Sequence, residues 1–457
     1  MGKSRRPVAA LTLAALMLAS CGGDGGTLGS GPVTVTPTPS PTPTPTPNCA
    51  LASRQAFAKA VIDEWYLFPG DVASANPGAY SDVQSYIDAL VAPARALNKD
   101  RFFTYITSIA EENAFYENGS SAGFGVLMAY DSVNQRIVIA EAYEGAPAFA
   151  AGIDRGTAIV GIGTSSGNVR TVASIAAAEG IDGLTNALGP DDPGVSRVLR
   201  ITDAAGTRDV TVAKADYALD PVSDRYGAKI ISEGGRSYGY LNLRTFIASA
   251  DDQLTAAFAD FRAQGVTDII VDFRYNGGGL VSTANLMGDL MGAGRAGQLF
   301  SQTRFRPSKS AEEDDEHRFA PGAQSIAPTR IAFIGTGSTA SASELVINSM
   351  LPYLGADMTL VGSNTYGKPV GQIALDKAEC DDRMRVVAFA TSNASGQSDY
   401  YDGLAPKIAN SCAANDDLGF PLGDPREASI RAAIDFLAGN ACTTRIADAS
   451  ARTASRD

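Results

Sequence analysis

An α/β fold is predicted for the larger part of this chain, and three observations predict it. From about Tyr226 onward, strand-like and helix-like segments alternate, which is the pattern of βα units laid on a shared sheet. Two of the strand-like segments, Asp268-Ile269-Ile270-Val271-Asp272-Phe273 and Ile331-Ala332-Phe333-Ile334, are short apolar runs of the kind found in buried strands. Of the 457 residues, 45% are hydrophobic and 19% charged, enough to form ordinary globular cores. The length is about three domains' worth at roughly 150 residues each.

The elements follow in order. Lys3, Arg5 and Arg6 precede a short apolar stretch from Val8 to Leu18, too short to span a bilayer as a mature helix and fitting a signal peptide over residues 1–20. Leu18-Ala19-Ser20-Cys21 resembles the bacterial lipobox, which implies that Cys21 becomes a lipidated first residue; Gly22 after it leans toward outer-membrane sorting. No other segment is long and apolar enough to cross a membrane, so membrane contact is expected through the lipid anchor only. Residues 21–48 form a linker of Gly and then Thr-Pro repeats, whose alternating prolines favour an extended spacer of roughly 40 Å from Thr36 to Pro47. A helical region is expected over 49–117, with one apolar stripe at Ala56, Val61, Ile62, Trp65 and Tyr66 and another at Tyr86, Ile87, Leu90 and Val91. A β domain over 118–215 reads from Gly123-Phe124-Gly125-Val126-Leu127-Met128, Arg136 to Ala140 and Gly156 to Ile162. The α/β core is placed at 216–445 and a tail at 446–457.

Charge and composition exclude several functions. Lys plus Arg total 37 against 50 Asp plus Glu, a formal net charge of -13, and clustered positive charge is what nucleic-acid binding requires. The single histidine, His317, lies in an acidic run from Glu312 to Glu316 that reads as a solvated loop. Multi-histidine metal sites are thereby excluded, and a hydrolase here would need another base. Cys49, Cys380, Cys412 and Cys442 permit two disulfides in three pairings; Cys380 with Cys412, and Cys49 with Cys442, are favoured because the second would tie the ends of the folded part together. There is no C-x-x-C, and neither Gly-Lys-Ser/Thr nor Rossmann spacing follows the glycine run. No metal or cofactor is expected.

The candidate chemistry lies where strands end. Ser341-Ala342-Ser343-Glu344 stands between the Ile331–Ile334 strand and a helical segment from Ala342 to Leu354, at a helix N-terminus where unpaired N–H groups gather. Such a place suits a nucleophile whose attack creates an oxyanion. Ser-x-x-Glu is also the ordinary capping box, and both readings stay open on Ser341 alone. Arg274-Tyr275-Asn276-Gly277-Gly278-Gly279 follows another buried strand, and Gly367-Lys368-Pro369-Val370-Gly371-Gln372 places a lysine 27 positions after Ser341. A lysine can serve as the base if it is neutral, which takes a depression of about 3 pH units from its usual range near 10.4, roughly 4 kcal/mol, supplied by burial.

Taken in order, the Asn-Gly-Gly-Gly loop, Thr339-Ala340-Ser341-Ala342-Ser343-Glu344 and Gly367-Lys368 resemble the C-terminal processing peptidases, or tail-specific proteases, over roughly Asp82 to Leu437. The resemblance implies a crotonase/ClpP-like peptidase core with Ser341 as nucleophile, Lys368 as general base and Gln372 orienting it. The backbone N–H groups of Gly279 and Ala342 would form the oxyanion hole. It also implies that 118–215 is a PDZ-like domain, with Gly123, Phe124, Gly125 and Val126 as the loop that binds a substrate's C-terminal carboxylate. Thr157 departs from that pattern, standing where an Asp is usual. The spacing from Ser341 to Lys368 is about two residues longer than usual for the family. A straight strand from Lys368 to Gln372 would also put their α-carbons roughly 13 Å apart; Pro369 and Gly371 allow a bend. Asp272 and Arg274 read as a structural ion pair. The function implied is a serine endopeptidase of the bacterial cell envelope, its folded part in the periplasm or at the cell surface, acting on proteins or peptides with free C-termini; the alternative is a non-catalytic receptor for peptide tails or small apolar ligands.

Overall fold

The computed structural model describes residues 47–446 and a two-residue strand at Leu11–Thr12. The rest of the expected signal peptide, the lipidation residue Cys21, the spacer up to residue 46 and residues 447–457 lie outside the described residues.

At the centre is a six-stranded sheet in the order Lys229–Glu233, Arg236–Asn242, Asp268–Asp272, Arg330–Gly335, Met358–Gly362 and Ser411–Ala413. The first pair is antiparallel and every later pair is parallel. Side chains alternate between faces along each strand. Ile269, Val271, Phe333 and Leu360 join the helices Ala250–Ala263, Val281–Leu290 and Ala342–Leu354 in one buried cluster. Ile270, Ile334 and Val361 face the helix Ala428–Leu437 on the other side. Burial on both faces explains the unbroken apolar runs. The strands ending at Asp272, Gly335 and Gly362 are neighbours and parallel, so the three loops leaving their C-terminal ends emerge at one edge of the sheet. Those loops carry the glycine run, Ser341 and Lys368.

A second, antiparallel sheet runs Asp315–Arg318, Leu299–Phe305, Asp382–Asn393 and Val370–Lys377, with Tyr105–Ser108 pairing Asp382–Asn393 as well. Two helices, Leu51–Trp65 and Val83–Ala96, bury Ile62, Tyr66, Ile87 and Leu90 against Val370, Met384 and Val386 of this sheet. A separate β unit contains the antiparallel strands Val126–Asp131, Arg136–Ala142, Ala158–Gly163, Ser196–Asp203 and Gly206–Ala213, packed on the helix Val172–Leu188. Leu11–Thr12 pairs with Tyr130 and Ala129 at its edge. Buried ion pairs fasten this unit to the core: Arg244 holds Glu141 at 2.7 Å and Glu144 at 2.7 Å, and Arg155 holds Asp416 at 2.7 Å.

Four expectations are corrected. The disulfides join Cys49 to Cys380 and Cys412 to Cys442, with Cα separations of 5.5 and 5.1 Å, rather than Cys380 to Cys412 and Cys49 to Cys442. Cys380 lies in the turn between the Val370–Lys377 and Asp382–Asn393 strands, where Arg54 of the first helix also reaches Asp382 at 2.5 Å; Cys412 lies on the last core strand, whose Ala413 N–H donates to Thr444. His317 stands on the Asp315–Arg318 strand, not a solvated loop, its Nε2 2.9 Å from Asp289. Gly123 to Met128 is not one strand, because Gly125 turns the chain at φ 71° between Ser120–Gly123 and Val126–Asp131. Ala56 is exposed, and Ala58 takes its place in the buried stripe with Val61, Ile62 and Tyr66.

Candidate active site

Ser341 is the residue before the Ala342–Leu354 helix, with φ 55° and ψ -116°. An ordinary N-cap has extended backbone, whereas a non-glycine residue at positive φ costs about 1–3 kcal/mol and persists only where surroundings impose it. Those surroundings are visible. Asn276, fully buried, accepts the Ala340 N–H (3.1 Å) and the Ser343 hydroxyl (3.0 Å) on its carbonyl, while its own amide donates to Leu243. The Thr339 hydroxyl donates to the Phe273 carbonyl at 2.7 Å. The serine turn is thus stapled to the glycine loop of the neighbouring strand.

That loop presses close. A Cβ on Gly278 would stand 2.7 Å from the Ser341 Cβ and 2.9 Å from the Ala342 nitrogen. The Gly278 N–H is committed to Asn276 Oδ1 and its carbonyl to the Phe246 N–H, both at 2.9 Å. Among the described residues no acceptor meets the N–H of Gly279 or of Ala342. Two free donors beside a serine at a helix N-terminus are what an oxyanion needs.

Lys368 and Ser341 line one narrow cleft, with Val281, Leu345, Val370 and Phe389 as its apolar walls. Burial brings the Lys368 amine down to about 8, so a usable fraction is neutral near physiological pH. Its Nζ donates to Gln372 Oε1 at 2.5 Å. Gly371 pairs with Phe389 and Gln372 with Val387, so the extra residue, Ala388, lies on the partner strand, and Lys368 and Gln372 meet without a bulge in their own strand.

Glu344 was legible only as a capping residue. Its buried carboxylate accepts the Ser341 N–H at 3.2 Å and also the Gly367 and Lys368 N–H groups, each at 2.7 Å. One side chain therefore ties the serine turn to the lysine loop, and burial pushes its carboxyl up although these hydrogen bonds oppose the shift. The helical region, which showed no chemistry in the sequence, supplies Phe103: its carbonyl accepts from Gln372 Nε2 at 2.5 Å, and its ring centroid lies 4.6 Å from Lys368 Nζ. The only available signal was an acidic residue followed by two phenylalanines after a helix, which points nowhere by itself.

Asp272 and Arg274 form a fully buried pair at 2.9 Å, and Arg274 extends it to Asp416 and Glu427. Gly123, Phe124, Gly125 and Val126 lie in the β unit, apart from the cleft. Phe124 is buried in that unit's core; the Phe124 and Gly125 carbonyls accept from Ala148 and Tyr143, while among the described residues their N–H groups meet no acceptor.

Fold and site together define an α/β protein with the parts of a serine acyl-transfer centre: a strained serine at a helix tip, free backbone donors and a buried amine of lowered basicity. Residues 237–409 match the profile of peptidase family S41. The chain is 26% identical over 255 residues to a carboxyl-terminal-processing protease of Picosynechococcus sp., covering 55% of each chain. It is 25% identical over 270 residues to a chloroplastic C-terminal processing peptidase of Tetradesmus obliquus, covering 57% of this chain and 54% of that one. The chain thus spans about half the length of the curated relatives it matches. A solved structure from Bacteroides fragilis NCTC 9343, named for the S41 proteases, shares the fold with a TM-score of 0.66 at 24% identity, covering 84% of this chain and 97% of that one.

Proposed function

We propose that this protein is a serine endopeptidase that cleaves proteins or peptides near their C-termini through Ser341 and Lys368. The observation that carries this is the conjunction in one cleft of a positive-φ serine and a buried lysine held near 8. Neutral Lys368 takes the Ser341 hydroxyl proton as Oγ bonds to the scissile carbonyl carbon. The carbonyl oxygen becomes an oxyanion and is met by the Gly279 and Ala342 N–H groups. On collapse the C–N bond breaks, and the Lys368 ammonium gives its proton to the departing amine. Water, deprotonated by the same amine, then attacks the acyl-enzyme, freeing the new carboxylate and restoring Ser341. Gln372, accepting one amine hydrogen, leaves the nitrogen lone pair for the serine.

Free N–H groups at Phe124 and Gly125 support the β unit as a PDZ-like receptor for a substrate's terminal carboxylate. Val126–Met128 pairs with Arg136–Ala142 on one edge, while on the other edge Leu11–Thr12 reaches only Tyr130 and Ala129 and no strand among the described residues covers Val126–Met128, so an extended peptide could add there. The leader and Cys21 support a lipid-anchored protein of the bacterial cell envelope, held off the membrane by the Thr-Pro spacer. Ser341→Ala is expected to abolish cleavage of a peptide with an apolar, free C-terminus while leaving its binding intact, measured by product formation and by equilibrium binding. Retained cleavage would show that Ser341 is not the nucleophile.

A further inference from the structure

We propose that the loop Asp100–Thr104 of the helical region is a positioning element of the active site, in which Asp100 holds Phe103 over the Lys368 amine and keeps that amine basic enough to deprotonate the serine. The inference rests on the Ser341–Lys368 reading above and adds a residue to it from a part of the chain with no other apparent role in the chemistry.

Asp100 is fully buried and accepts four hydrogen bonds: from the Tyr66 hydroxyl (2.9 Å), the Phe103 N–H (2.8 Å), the Thr104 N–H (3.2 Å) and the Thr104 hydroxyl (2.6 Å). It therefore dictates the path of Phe103, whose carbonyl receives Gln372 and whose ring covers the amine. Arg101 in the same loop donates to the Tyr366 carbonyl at 2.9 Å and to the Gly367 carbonyl, gripping the lysine loop from outside. The charges that bear on the amine come from three directions. Asp100 and Glu344 favour its ammonium form; Arg385, itself paired with Glu112, opposes it. The Tyr105 phenol, held up by burial, adds no charge.

The direction of the effect follows. Burial alone would depress the amine further and leave a weak base. A buried carboxylate and an aromatic face both favour the protonated state, so together they set a floor under its basicity. A base too weak transfers the proton poorly even when it is wholly neutral.

The test is the rate at which a fluorophosphonate labels Ser341 in the full chain, measured across pH. Wild-type labelling should rise with a midpoint near 8, where the lysine loses its proton. In Asp100→Asn, which can still accept the two N–H groups, the midpoint should fall by about one pH unit and the high-pH plateau by about threefold. Phe103→Leu keeps the backbone carbonyl and removes the ring; it should move the midpoint the same way, and it carries the test if Asp100→Asn does not fold. A purely structural role for the loop would lower the plateau without moving the midpoint, and that result overturns the proposal. Wild-type labelling that does not depend on Ser341 at any pH would instead overturn the catalytic reading itself, and this proposal with it.

Discussion

In the proposed reaction, Lys368 is the residue at which function and stability are opposed. Its amine sits near 8 in the fold against 10.5 in an unfolded chain, because burial disfavours the ammonium. Below about pH 8 the folded protein carries a buried charge that the unfolded chain carries in water, and that cost amounts to roughly 3 kcal/mol at most. The cost shrinks as pH rises from 8 and is gone above about 10.5. Lys368→Met is therefore expected to abolish cleavage and to raise the melting temperature at pH 7, with the gain fading toward pH 10; a melting temperature unchanged at pH 7 would mean the amine is solvated. Ser341 tells a similar story through its backbone. Its positive φ is tolerated because Asn276, Thr339 and Glu344 hold the turn from three sides, and strain sustained in this way belongs to sites that do chemistry.

At the scale of elements, the site is an outcome of strand order. Three adjacent parallel strands end together, and each delivers one loop of the proposed site, carrying Gly279, Ser341 with Ala342, and Lys368. The loops touch closely enough that a single methyl group matters. Gly278→Ala would place a carbon within 3 Å of the Ser341 Cβ and the Ala342 nitrogen, at a backbone angle of φ 106° that favours glycine. It is expected to lower kcat at least 100-fold through a displaced oxyanion hole, read by steady-state kinetics beside a far-ultraviolet circular dichroism spectrum that stays native.

At the scale of the molecule, the helical region, the second sheet and the core converge on one cleft and are locked there. The helical region is joined to the second sheet by the Cys49–Cys380 disulfide and the Arg54–Asp382 pair, which keeps the Phe103 loop against Lys368. The β unit is held to the core by Arg244 between Glu141 and Glu144. Arg244→Met would leave the Glu141 carboxylate, pushed up by its burial, without its main partner. A loss of about 3–5 kcal/mol in unfolding free energy is expected, checked by urea denaturation. Adding Glu141→Gln should return part of it; if the double variant is no more stable than the single, the pair does not couple the units.

The amino-acid sequence by itself determined the α/β core, the Ala342–Leu354 helix to the residue, and the order of the glycine, serine and lysine motifs, because apolar periodicity and glycine turns act over a few neighbouring residues. It marked Glu344 as a cap but could not reveal that the same carboxylate binds Gly367 and Lys368, nor that Asp100 and Phe103 stand at the lysine. The disulfide partners were likewise beyond it: any of three pairings satisfies the cysteine count, and only the meeting of Cys49 with the Cys380 turn and of Cys412 with Cys442 selects one. Strand-end motifs are local and can be read along the chain. Burial, a lowered amine and a carboxylate shared between two loops are properties of the packed interior, and they come into being only when segments hundreds of residues apart exclude water together.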